Sequence, residues 1–255
     1  RLCRVVSGDG GATHPRAGMA HAAAMKRFYK GAAVAASDSG HTILLDGRPV
    51  RTPARAPLAV PTPALAQAIA AEWDAQGDEI DPRTMMMTGL ANAAIDQVAP
   101  DAAAFAAAIA AYGESDLLCY RAEGPAPLVR EQIEAWNPLL DWAERRYDVS
   151  FALATGIVHV AQPDATITRL TAAVAACDPF VMTGLSTLVT MSGSLVCGLA
   201  ILEQAFPVEH IWQASELDEL WQARQWGEDE QAAARRTLRA EEFTAATRFV
   251  ELAQG

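Results

Sequence analysis

The amino-acid pattern predicts an α+β protein: a small N-terminal two-layer domain, a hairpin sheet with helices, followed by a larger all-α helical-bundle domain. Three observations carry this reading. Short β-prone runs separated by turn residues crowd into residues 27–60. After Pro61 the apolar residues switch to helical spacing, and beyond Asp101 no run of strand length recurs. The hydrophobic fraction of 51% can fill a core in a chain of 255 residues, a length that supports one large domain or two modest ones. The expected boundaries are 25–100 for the α+β domain and 101–255 for the helical domain.

Within the first domain, Phe28 to Ala35 is expected as a strand, and Ser37-Asp38-Ser39-Gly40 as the turn into His41–Leu45. Asp46 and Gly47 are structural residues on this reading, because both tolerate the positive φ of a tight hairpin. Arg48 to Arg51 would return as the next strand, with both arginines exposed, and Leu58–Val60 adds an edge piece. Thr62 is placed to cap a helix whose first position is Pro63. Leu65, Ile69 and Trp73 follow at i, i+4 and i+8, so Trp73 reads as a core residue, and Gly77 ends the helix. A second helix is expected from Thr84 to Val98.

The helical part begins where Asp101 can cap a helix bearing Phe105, Ile109 and Tyr112. Glu131 to Tyr147 carries Trp136, Leu139, Leu140 and Ala143 at helical spacing, with Asn137-Pro138 expected to kink or start a segment. Pro163-Asp164 opens another helix. Three more are expected, divided at Asp178-Pro179, Phe206-Pro207 and Gly227. The run Pro179–Leu202 holds no charge and is long enough to cross a bilayer. Its serines, threonines and three glycines, and the absence of flanking Lys, Arg, Trp or Tyr, favour a buried central helix instead. Gly184, Ser194 and Gly198 would let neighbouring helices approach closely.

Charge and motif content narrow the function. A net charge of -11 repels nucleic-acid phosphates and argues against polybasic docking to membranes. Cys3, Cys119, Cys177 and Cys197 show no ligand spacing and read as free thiols in a reducing compartment. Residues 1–24 are Arg-rich and acid-poor without a secretory hydrophobic block. They read as a tag, leader or non-native start before Met25, with a transit remnant as the alternative.

No phosphate-binding loop, dinucleotide fingerprint, nucleophile elbow or zinc-protease motif occurs. His14, His21, His41, His159 and His210 are scattered, so no metal, cofactor or catalytic residue is nominated. The tail is different. Glu216, Asp218 and Glu219 are interleaved with Trp212, Leu217, Leu220 and Trp221, and Trp226-Gly227-Glu228-Asp229-Glu230 follows. Gly227 can close one helix while the acids begin the next, where the macrodipole favours them. Tryptophans among acids also fit a partner surface, and both readings stay open.

The run from His41 to Pro53, containing LDGRPVRTP, resembles the signature of the family of assembly chaperones that hold the alpha subunit of F-type ATP synthase. Ala70–Gln76, Tyr112–Arg121 and Gln225–Glu230 resemble further blocks of that family in the same order. Ser115 stands where the family has Thr, and Met86 where it has Pro, which leaves the start of the second helix open. The resemblance implies the same α+β and helical parts, no catalysis and no cofactor. It also implies a bacterial cytoplasmic or mitochondrial matrix protein whose partner is the unassembled alpha subunit. A monomer that neither binds nucleic acid nor inserts in membranes is expected. The candidate partner-binding residues are Glu216, Glu219, Trp221, Trp226, Asp229 and Glu230. An enzyme using carboxylates around Gly113–Arg121, or a membrane-associated adaptor using Pro179–Leu202, are the alternatives.

Overall fold

The structure, a computed structural model, describes residues 25–255 apart from Ile157. The expected leader, with Cys3, His14 and His21, lies outside the described residues. The N-terminal layer holds β1 (Met25–Lys26), β2 (Ala32–Ser37), β3 (Gly40–Leu45), β4 (Arg48–Pro49) and β5 (Ala59–Val60). β2 and β3 form an antiparallel hairpin in which Ala32 faces Leu45 and Ser37 faces Gly40; β4 and β5 both pair with β3. Asp46 and Gly47 turn between β3 and β4 with φ of 48° and 80°, as a hairpin matching the twist of its strands requires.

The strand expected from Phe28 starts four residues later. The guanidinium of Arg27 donates to the carbonyls of Tyr29, Lys30, Asp74 and Gln76, and the carboxylate of Asp46 accepts from the N–H groups of Lys30 and Gly31. With these backbone groups already satisfied, residues 27–31 form an irregular connection, and Phe28 is left exposed.

Helix α1 (Pro63–Asp74) lies on the sheet and buries Leu65, Ile69 and Trp73. Thr62 caps it by accepting from the N–H of Leu65, 3.1 Å, and Pro63 occupies the first turn, where it costs no hydrogen bond. The helix stops at Asp74, three residues before Gly77. β6 (Glu79–Ile80) then pairs with β1. The expected second helix is α2 (Met86–Ala93) continued by a π-helical stretch from Ala94 to Val98. Glu72 caps α2 from outside, accepting from the N–H groups of Met87 and Thr88.

The helical part comprises α3 (Ala102–Ala110), α4 (Ala126–Tyr147), α5 (Asp164–Ala175), α6 (Pro179–Ser192), α7 (Leu195–Leu202), α8 (Val208–Ser215), α9 (Leu217–Trp226) and α10 (Glu230–Gln254). Three expectations change here. Pro138 sits inside an unbroken α4; a lost backbone bond there is outweighed by burial of Trp136, Leu139, Leu140 and Ala143 along one face. The run Pro179–Leu202 is two helices, because Gly193 takes φ of 67° and Ser194 caps the second by accepting from the N–H of Cys197. The segment after Pro207 is likewise split at Glu216.

The bundle is assembled on small residues. A Cβ at Gly184 would lie 2.5 Å from Val250 Cγ2 of α10, and one at Gly198 would lie 2.5 Å from Val189 Cγ2 of α6. α10 also packs on α1 and α2, and the Thr62 hydroxyl donates to the carbonyl of Leu252. Sheet layer and bundle therefore share one apolar core, running from Ile43 and Leu65 to Phe249.

One further stretch, 86–119, is apolar enough for a membrane span by composition, but it is broken into α2, the π turn, α3 and 3-10 turns.

The block Tyr112–Arg121 is anchored by Asp116, which is fully buried. Its carboxylate accepts from the N–H groups of Leu118 and Val196, both at 3.0 Å, joining a 3-10 turn to the start of α7. Burial pushes its pKa up to about 6 against the pull of those N–H donors. Burial also holds the thiols of Cys119 and Cys197 at about 12, which makes them poor nucleophiles.

Candidate functional site

The acid and tryptophan cluster falls on α8, α9 and the start of α10. α9 is held against α4 by polar pairs at its two ends. Near its N-terminus, Gln132 donates to Asp218 Oδ1 at 2.8 Å while its own side-chain carbonyl accepts from the N–H of Ala122. Near its C-terminus, Arg224 pairs with Glu131. The Trp136 indole donates to the carbonyl of Ala214 at 2.8 Å, fixing the end of α8. Arg121 lies over the Trp136 ring and donates to the Gln132 carbonyl and to Asn137 Oδ1. The family-like block ending at Arg121 thus supports the surface from behind.

The structure divides the six candidate partner-binding residues. Glu216 is 3% exposed and lies 3.0 Å from Arg239 and 3.8 Å from Arg236. Burial raises its pKa, opposed by the two arginines. Trp221 is 8% exposed and has Arg224 over its ring. Both side chains are buried rather than presented on the surface, and neither is carried into the contact proposed below. Glu216 lies at the break between α8 and α9 and ties it to α10 through Arg236 and Arg239, and Trp221 is buried on the inner side of α9. Trp212 is internal too, against the Phe243 ring at 4.9 Å.

Glu219, Trp226, Asp229 and Glu230 remain on the outside. Trp226, the last residue of α9, is 79% exposed, the highest value among the exposed large apolar side chains of the described residues. Gly227 follows with φ of 88°, a conformation glycine adopts without strain, and turns the chain sharply. Asp229 caps α10 by accepting from the N–H of Ala232, 3.3 Å, and Glu230 lies in the first turn of that helix. Glu228 is tied back to Arg236. An apolar ring therefore stands exposed at the α9–α10 corner, followed by carboxylates at a helix N-terminus. Beside it, between α4, α8 and α9, runs an open groove of about 530 Å³ lined by Glu131, Glu134, His210, Leu217 and Leu220.

Sequence reasoning missed the arginines that hold this corner, because Arg224, Arg236 and Arg239 acquire meaning only from partners outside their own segments. No group of three or more metal-ligating side chains converges among the described residues. Asp116, the carboxylate at the centre of the 113–121 block, is fully buried and committed to backbone N–H groups.

A helical bundle joined to a small sheet, with an exposed tryptophan corner and carboxylates committed to caps and ion pairs, has the features of a binding protein. The family model "ATP12 chaperone protein" matches residues 26–144. The crystal structure of Atp12 from Paracoccus denitrificans is similar, with a TM-score of 0.86 and 41% identity over 90% of this chain and 98% of that one. A point mutant of the P. denitrificans protein gives the same values. The Atu1473 protein of Agrobacterium tumefaciens, a putative chaperone, matches with a TM-score of 0.85 and 41% identity, over 89% of this chain and 85% of that one. The chain belongs to the ATP12 chaperone family.

Proposed function

We propose that this chaperone captures the unassembled alpha subunit of F-type ATP synthase and covers it until the beta subunit takes its place. Membership of the family supports the reading, and so does the physics of the task. An orphaned ring subunit exposes a large apolar interface that aggregates. A protein that covers it reversibly needs an apolar anchor on a polar, shape-matched surface and no chemistry of its own. The observation that carries the assignment of a contact is Trp226, exposed at the α9–α10 corner, with Glu219, Asp229 and Glu230 also exposed on these two helices and the turn between them. Large aromatic side chains dominate binding energy where they enter a partner's pocket, while flanking charges set orientation and rate.

The working compartment on this reading is the bacterial cytoplasm, or the matrix for a mitochondrial copy, where alpha subunits are folded. Charge reversal at Glu219 or Asp229 tests the surface. Pull-down of free alpha subunit is expected to weaken about tenfold or more with each folded variant. For Asp229→Lys a loss of about 1 kcal/mol of stability from the missing cap is included. Undiminished pull-down by both folded variants removes this corner from the account.

A further inference from the structure

The sheet layer carries a second surface of opposite character. Between residues 25 and 60 there are six Lys or Arg and two Asp, in a chain whose net charge is -11. A cleft of about 690 Å³ opens on this layer, between the β3–β4 turn and the segment that precedes β2. Its walls are apolar: Phe28, Tyr29, Pro49, Val50 and Trp73. Phe28 is 67% exposed and Met25, also on the cleft, is 51% exposed, so two large apolar side chains stand open at one place.

The cleft is preformed. The Phe28 and Tyr29 rings meet edge to face at 5.3 Å, and Tyr29 meets Trp73 in the same way at 5.6 Å. The Tyr29 hydroxyl donates to the Trp73 carbonyl at 2.7 Å, and Arg27 lies over the Tyr29 ring at 4.7 Å. Trp73 is 9% exposed, and its buried indole N–H has no hydrogen-bond partner among the described residues, a state that costs free energy.

Two cations stand on the rim. Arg48 and Arg51 are exposed and line the cleft, and no carboxylate lies within ion-pair distance of either among the described residues. The one acid at the cleft, Asp46, is engaged by the N–H groups of Lys30 and Gly31. Exposed arginines beside an aromatic wall suit an anionic, partly apolar ligand.

We propose that this cleft docks an extended acidic peptide segment, with an apolar side chain against Phe28 and Trp73 and flanking carboxylates on Arg48 and Arg51. The proposal rests on the chain being a client-binding chaperone, and assigns it a second contact for an acidic stretch of that client. A basic sheet and an acidic α9–α10 corner would then orient the client, since each surface rejects what the other accepts.

The test uses the full chain and a fluorescein-labelled twelve-residue peptide, one Phe and one Leu among Glu and Asp, with a Lys-for-acid counterpart. Fluorescence anisotropy is expected to show binding of the acidic peptide alone, weakened about tenfold or more by Arg48→Glu/Arg51→Glu. Phe28→Ser, also at an exposed position, should weaken it to a similar degree. Binding that survives Phe28→Ser unchanged reports generic charge attraction and overturns the proposal. So does failure of the acidic peptide to bind the full chain, as when another stretch of this chain or a second copy fills the cleft. Capture of intact alpha subunit, measured beside it, keeps the two readings separable. Alpha captured equally by wild type and the arginine double variant, with no peptide bound, sinks the cleft and leaves the chaperone reading standing. Peptide bound but alpha not captured does the reverse.

Discussion

Replacing Trp226 with alanine separates binding from stability more cleanly than any other single change in this molecule. The side chain is 79% exposed, and a tryptophan can bury up to about 250 Å², so roughly 200 Å² is available to a partner. At about 25 cal/mol per Å² this sets a ceiling near 5 kcal/mol. Truncations of well-seated aromatic anchors usually cost about 2–4 kcal/mol, which corresponds to roughly 30- to 1,000-fold in Kd. The same exposure means that folding gains little from the ring, so stability should change by less than about 0.5 kcal/mol. The assay is titration of freshly refolded alpha subunit with the wild type and the variant, alongside urea denaturation of each chaperone alone. Capture weakened by less than about threefold, with the fold intact, would refute the assignment of Trp226 as an anchor.

Three other changes probe the frame behind that corner. Asp116→Asn should reveal a pH dependence. The folded-state value of about 6 lies above the ordinary 3.8, so between them the folded chain holds more protons than the unfolded one and this group's stability contribution falls as pH rises. The gap between wild type and Asn variant should narrow by about 2 kcal/mol from pH 4 to pH 7 in chemical denaturation; a gap independent of pH contradicts the burial argument. Gly184→Ala should cost about 1–3 kcal/mol, or roughly 2–12 °C in Tm, because its methyl group meets Val250 on α10; an unchanged Tm would mean that α6 and α10 are less tightly apposed. Glu216→Ala should lose about 2–3 kcal/mol, less than for a fully buried pair because the Arg239 side chain is 37% exposed. Denaturation curves that overlay would show that these ion pairs contribute nothing.

Much of the frame was legible because local rules agree with the tertiary result. Thr62-Pro63, Asp46-Gly47 and Asp101 each end an element for a reason confined to a few residues, and Leu65, Ile69 and Trp73 declare a buried stripe by spacing alone. What escaped reading depends on distant partners. Residues 27–31 are denied strand structure by the Arg27 side chain, which folds back on its own segment, and by Asp46, which bonds their backbone from the β3–β4 turn. Pro138 is tolerated in α4 because the face around it is buried. Glu216 and Trp221 looked like surface in a segment rich in acids, yet Arg236 and Arg239, on the next helix, draw Glu216 inside. Composition cannot tell an acid that faces solvent from one that faces a guanidinium on another helix. The cleft beside Phe28 was invisible for the same reason, since its walls come from three separate stretches of chain.

The most direct measurement is the solubility of isolated alpha subunit, diluted from denaturant into buffer with an equimolar amount of this chain. The account predicts that alpha stays in the supernatant as a stoichiometric complex, that beta subunit added afterwards displaces the chaperone, and that beta diluted alone gains no protection. Alpha that precipitates as completely with the chain as without it, and never co-elutes with it, would contradict the account.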